Sequence, residues 1–139
     1  MLKNVPKIIP PELLKILCEM GHGDEIVIAD GNFPSTTLGQ RVVRMDGHGV
    51  PEILEAVLEL IPLDTYKPPV CIMKKVAGDE FEVPIWKVYK DIAAKHTDEE
   101  LEQMERFAFY DRAKTAYCVI ATGEASLYAN IILKKGVVV

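Results

Sequence analysis

His22 lies between two glycines in the tetrapeptide GHGD, Gly21–Asp24, just ahead of the short apolar run Ile26–Ala29, and the run ends in a carboxylate, Asp30. General acid–base chemistry needs a group that titrates near neutrality and a second group to complete the proton relay; an imidazole and a carboxylate supply both. In a small α/β domain such a strand predicts an acid and a base brought to one rim of a sheet. A plainer use of the same residues is available. Gly21 caps a helix in the left-handed conformation, His22 covers the helix end and interacts with its dipole, and Asp24 opens the next turn.

Two further segments carry groups suited to a polyol. Arg106 opens RFAFYDRAK, Arg106–Lys114, where its planar fork suits adjacent hydroxyls; its ordinary use is a surface pair with Glu105 or Asp111. Tyr110 lies one turn on, equally suited to the core with its hydroxyl at the surface. Tyr128, Ala129 and Asn130 stand at the entrance of an apolar strand. There an amide donates and accepts while an aromatic ring packs on C–H bonds, or Asn130 simply bonds its own turn. His48, Asp46, His22 and Asp24 can be drawn as a metal set, but their spacing matches no recognised ligand motif. Trp86 and Tyr89, three apart on one helical face, read as core or as an oligomer contact. Neither GxGxxG nor GxxxxGK occurs, so no phosphate loop is expected.

The elements that must position these groups follow from periodicity and punctuation. Pro10 and Pro11 start a helix whose Leu13, Leu14, Leu17 and Cys18 share a face, stopped at Gly21. Ile26–Ala29 and Val70–Met73 are continuous apolar runs, as in strands covered on both faces. Arg41–Met45 is a second short strand. A helix runs from Pro51 through Ile61, with Ile53, Leu54, Val57, Leu58 and Ile61 at helical spacing, and ends at Pro62. Another spans about 84–95. Thr97 with Glu100 predicts a capping box and one more helix. A link near 104–107 leads to a helix through Ala116, a strand over Tyr117–Ala121, a turn at Gly123 and a last strand, Ile131–Lys134. Strands alternating with helices predict an α/β domain with a mostly parallel sheet and helices on both faces. Asp30, at a strand's carboxyl end, is where ligands gather in such sheets.

Composition narrows the function classes. A chain of 139 residues, 49% hydrophobic and 27% charged, is expected to form one ordered domain. A formal charge of −5, with only Lys74–Lys75 and Lys134–Lys135 as basic pairs, argues against nucleic acid. No apolar stretch approaches a membrane span or a secretory leader, so a cytoplasmic location is expected. The cysteines, Cys18, Cys71 and Cys118, are three in number, lack CxxC spacing and lie in apolar runs. They are expected to be buried free thiols.

Taken together, GHGD with Asp30, DGNFP at Asp30–Pro34, RFAFYDRAK and TGEASLYANIILKKGV at Thr122–Val137 resemble the L-fucose mutarotase and D-ribose pyranase family of sugar-anomer isomerases, over nearly the whole chain. The resemblance implies a single three-layer domain over residues 1–139. It implies His22 as proton donor, Asp30, Arg106, Tyr128 and Asn130 as sugar contacts with Tyr110 nearby, no cofactor, and L-fucose as substrate. Arginine at Arg106, where the ribose branch is expected to carry histidine, favours the fucose branch. Asn32 stands where some bacterial members carry histidine. The family assembles into rings, typically decamers of two pentamers with pockets near subunit contacts, and the exposed tail Gly136–Val139 and the Trp86 helix suit such burial. The alternatives are a ribose pyranase, a sugar-binding protein without catalysis, and a metal-dependent hydrolase built on His22 and His48.

Overall fold

The computed structural model describes residues 1–139. In chain order the elements are α1 (Pro11–Glu19), β1 (Glu25–Ala29), α2 (Ser35–Leu38), β2 (Val42–Met45), α3 (Val50–Leu58), β3 (Val70–Met73), α4 (Pro84–Ala93), β4 (Glu102–Met104), α5 (Arg106–Thr115), β5 (Cys118–Thr122) and β6 (Ile131–Lys134). The strands form one six-stranded sheet in the order β2-β5-β1-β6-β3-β4. Five strands run the same way; β6 alone is antiparallel to both neighbours, with Ile26 opposite Leu133 and Cys71 opposite Ile132. The sheet is therefore mostly parallel in direction, as expected, but mixed, because the final strand enters its middle reversed.

Its two faces are covered unequally. α1, α3 and α4 pack Leu13, Ile53, Leu54, Tyr89 and Ile92 onto Ile26, Ile28, Ile120, Ile131 and Leu133 in the larger core. α5 and the loop before α2 cover the other face with Phe109, Ala113 and Phe33 on Val27, Cys71, Val119 and Ile132. Alternation along each strand divides its side chains between these cores, which is why β1, β3 and β5 read as unbroken apolar runs. Burying each Ile or Val contributes about 1.5–3 kcal/mol. One charged pair is admitted to the sheet's flank: Arg112 of α5 donates to Glu25 at the start of β1.

Several expectations are corrected. α1 buries Leu13, Ile16 and Leu17 with Met20 behind them, so Cys18 faces solvent; only Cys71 and Cys118 are buried thiols. Burial pushes the thiols of both up to about 12. Gly21 does not supply the left-handed cap. α1 ends at Met20 in extended geometry, and the positive φ, +87°, falls on Gly23. α3 stops at Leu58 rather than Ile61, although Ile61 remains in the core. The helix expected from Thr97 is absent. Thr97 Oγ1 accepts from the Glu99 amide at 3.1 Å and closes a turn, after which Glu102–Met104 pairs with β3 as β4. An open strand edge outweighs the helical preference of a Glu-rich segment.

The fold delivers the Tyr128–Asn130 segment with two bonds from α4. Tyr89, fully buried, donates its hydroxyl to the Ala129 carbonyl at 2.6 Å, and Trp86 Nε1 donates to the Tyr128 carbonyl at 2.8 Å. Tyr89→Phe keeps the ring and orphans a buried carbonyl. It is expected to cost about 1–2 kcal/mol, seen as a lower urea midpoint with an unchanged slope.

Candidate active site

Most of the expected site residues gather at the edge where β1 and its four parallel partners end. Asp30 follows β1, and Asn130 precedes the reversed β6, so the antiparallel ladder brings them side by side: Asn130 Oδ1 accepts from the Asp30 amide at 2.8 Å. Asn130 is buried at 5% exposure, bonding across the sheet rather than to its own turn. The Asp30 carboxylate accepts from the Asn32 amide at 2.9 Å, which turns the chain toward Phe33. Burial raises the Asp30 carboxyl above its ordinary range. The Asn32 and Phe33 amides and the Asn130 side chain pull it back in part, while Glu124 nearby adds to the rise.

Phe33 links this corner to α5, packing edge-on against Phe109 and Tyr110 at 6.1 and 5.4 Å between centroids. Glu105 caps α5 by accepting from the Phe107 and Ala108 amides, and this places Arg106 in the first turn. Arg106 Nε donates to the Tyr110 hydroxyl at 3.2 Å, so the two are one unit with the guanidinium still largely exposed. Arg106 pairs with neither Glu105 nor Asp111.

Tyr128 completes the edge. It holds a left-handed backbone, φ +55°, unusual for a large side chain, and its hydroxyl donates to Asp79 Oδ2 at 2.5 Å. That bond raises the Tyr128 phenol above its ordinary range. Glu124 serves the scaffold, accepting from the Val50 amide at 3.1 Å at the start of α3.

His22 is not on this rim. It precedes β1 whereas Asp30 follows it, and the strand between them, rising about 3.3 Å per residue, sets the two at opposite ends of β1. At the opposite edge His22 meets Asp64, from the turn after α3: Nε2–H donates to Asp64 Oδ1 at 3.2 Å, and the ring lies 5.9 Å from that of Tyr66. A carboxylate can only accept, so Nε2 carries a proton, and in the neutral imidazole Nδ1 is the nitrogen left free to accept. Asp64 is 8% exposed, and burial opposes its ionised form. The bond with His22 and the Thr65 and Tyr66 amides outweigh that and hold its carboxyl below the ordinary range.

Asp64 and Asp79 escaped the sequence reading because each lies in a turn-rich segment far along the chain from its partner. The metal set does not assemble: His48 Nδ1 pairs with Glu52 at 3.0 Å, His22 with Asp64, and no three ligating side chains come together. A hollow of about 680 Å³ lies at the N-terminal segment, lined by Leu2, Val5, Ile9 and Leu14 among others, and contains no site residue. A smaller one of about 190 Å³ opens beside Asp30, lined by Phe33, Ser35, Arg44 and Thr122.

Known proteins share this fold. The fucose mutarotase of Bos taurus is 51% identical over 143 residues, spanning 98% of this chain and 94% of that protein. The FucU crystal structure from Bifidobacterium longum superposes with a TM-score of 0.95 at 58% identity, covering 99% of this chain and all of that one. The fucose mutarotase of Streptococcus pneumoniae, solved in complex with L-fucose, gives 0.94 at 49% identity, again over 99% of this chain and all of that one. A family model matches residues 3–138, and the chain belongs to the RbsD / FucU transport protein family.

Proposed function

We propose that the protein interconverts the α and β anomers of L-fucose by general acid–base ring opening and closure, and that each site is built from two copies of the chain. The observation that carries this is the division of labour between the sheet edges. One edge holds polyol-binding groups, the other a histidine backed by a buried carboxylate. Relatives at about half identity named fucose mutarotase, one of them solved with L-fucose, support the substrate. Arg106 agrees with the fucose branch rather than a ribose pyranase, and a binder without catalysis would leave the His22–Asp64 pair unexplained.

The reaction transfers two protons and no net electrons. A base takes the proton of the anomeric hydroxyl as the C1 carbonyl forms and the C1–O5 bond breaks, and an acid protonates the ring oxygen. Rotation about C1–C2 presents the other carbonyl face, and the reverse transfers close the ring and restore the starting protonation. His22, fixed by Asp64 at Nε2, shuttles the proton at Nδ1. Asp30, Arg106, Tyr128 and Asn130 hold sugar oxygens, and Tyr110 braces Arg106. A 10²- to 10⁴-fold contribution from such groups, in rough terms, suffices for a reaction that already proceeds in water.

His22 of one copy reaches sugar only if its edge faces the other edge of the next copy. That contact is head to tail, and its repetition gives a ring when the rotation between copies closes, in keeping with the decamers expected of the family. Apolar side chains stand exposed beside both half-sites: Phe107 and Leu127 on one edge, Tyr66 and Val137–Val139 on the other. The free thiols Cys71 and Cys118 suit a reducing cytoplasm.

Saturation-transfer proton NMR on equilibrated L-fucose is expected to show enzyme-dependent exchange between anomeric signals, which His22→Ala lowers about 10²- to 10⁴-fold while L-fucose still binds. Exchange at the buffer rate with the unaltered protein would overturn the assignment. Co-assembling equal amounts of His22→Ala and Asp30→Asn, each inactive alone, should restore activity at about a quarter of the sites, since one pairing in four joins two intact edges. No recovery in mixed oligomers of verified composition would place both residues in one subunit's site. Asp30→Asn should also raise Tm at neutral pH. Asp30's folded value is raised, so the penalty builds as pH rises through the unfolded value near 4 and is complete above the folded one; below the unfolded value it vanishes, and the gain in Tm should vanish with it.

A further inference from the structure

Tyr128 is held from three directions. Its carbonyl accepts from Trp86 Nε1, and the carbonyl of its neighbour Ala129 accepts from Tyr89; together they fix the backbone at φ +55°. A left-handed non-glycine residue persists only where its surroundings over-determine it, and such residues cluster where a side chain must be aimed. The ring of Trp86 meets that of Tyr128 edge-on at 6.3 Å. The third hold comes from the loop between β3 and α4, which lies far away in sequence.

In that loop Gly78 takes φ +86°, the Asp79 amide donates to the Val76 carbonyl at 3.0 Å, and Asp79 Oδ1 accepts from the Phe81 amide at 2.9 Å. Lys75 Nζ donates to the Phe81 carbonyl at 2.9 Å and ties off the segment. The turn leaves Asp79 Oδ2 as the acceptor of the Tyr128 hydroxyl at 2.5 Å, while the Val76 amide donates to the same hydroxyl at 3.4 Å.

We infer that Asp79 is a positioning residue of the sugar site: it accepts the hydrogen bond of the Tyr128 hydroxyl, so that the phenol oxygen meets the sugar as a hydrogen-bond acceptor. The inference rests on the isomerase reading and deepens it. A free phenol rotates its proton and can donate or accept; one committed to a carboxylate can only accept. With one acceptor position facing the Val76 amide, a single direction is left for a sugar hydroxyl. A carboxylate acceptor also makes the commitment strong, since charge-assisted bonds are short and roughly twice as strong as neutral ones. Each edge of the sheet then carries an aspartate that fixes the proton of a working group, Asp64 for His22 and Asp79 for Tyr128.

The test is a double-mutant cycle over Asp79→Ala and Tyr128→Phe, with Asp79→Asn as the conservative variant. Each protein is measured for kcat and KM by anomer exchange at varied L-fucose, and for L-fucose affinity by calorimetry. Asp79→Ala is expected to lower kcat about 10-fold with a smaller change in KM, because a misaimed group costs rate more than capture. In the Tyr128→Phe background the same change should cost nothing further, and Asp79→Asn, which still accepts from the phenol, should recover most of the loss. A role confined to holding the loop would lower stability without this split and without rescue. The inference is overturned if Asp79→Ala leaves kcat within about twofold of the unaltered protein, if its loss adds in full to that of Tyr128→Phe, or if Asp79→Asn is no better than Asp79→Ala. Should the unaltered protein show no exchange, the isomerase reading fails by itself. The calorimetric cycle then decides this inference alone, non-additive losses of affinity upholding it and additive ones overturning it.

Discussion

No side chain reaches around a β-strand, and the five residues of β1 therefore keep His22 and Asp30 at opposite edges of the sheet whatever the rest of the chain does. Much of the molecule answers to that separation. The edge after β1 is furnished with an amide, a guanidinium and phenols, groups that bind hydroxyls without taking a proton permanently. The edge before it holds an imidazole on a buried carboxylate. Both carry apolar side chains of the kind that oligomer contacts bury.

Three carboxylates in the two half-sites illustrate how local structure sets protonation. Asp30 is crowded by the sheet end and lies near Glu124, so its charge is disfavoured even though amides point at it. Asp64 is as well covered, yet His22 and two backbone amides hold it ionised. Asp79 sits on the surface, and the bond from Tyr128, with the Phe81 amide, keeps its carboxyl below the ordinary range. One residue type thus serves as a ligand group under strain, as the partner of an imidazole and as the partner of a phenol. The differences arise from donors supplied by turns.

The parts of the fold legible in the sequence are those that a local pattern dictates. Val70–Met73 and Ile131–Lys134 form as expected because short, largely apolar and β-branched runs bounded by turn signals suit a strand covered on both faces, and Asp30 stands where the end of such a strand must be. What escaped depends on distant partners. The Thr97 segment has good helix-capping chemistry and yet yields to the open edge of β3. α2 is one turn of Ser and Thr, too short to show a period. The reversed direction of β6 leaves no mark in Ile131–Lys134, since a buried strand reads alike in either sense. Shared placement of His22 and Asp30 was expected from their nearness in sequence. That nearness misleads, because a strand converts a short separation along the chain into a long one in space.

β6 enters the sheet after every other strand has been made, and it enters in the middle. Without it β2-β5-β1 and β3-β4 are separate ribbons, each with an unpaired apolar edge at β1 or β3. A chain leaving the ribosome cannot join them until Ile131–Lys134 has emerged, so the sheet must close after most of the polypeptide is already exposed. During that interval two bare strand edges are open to pairing with other nascent chains, and the lifetime of the split sheet is the interval of greatest aggregation hazard.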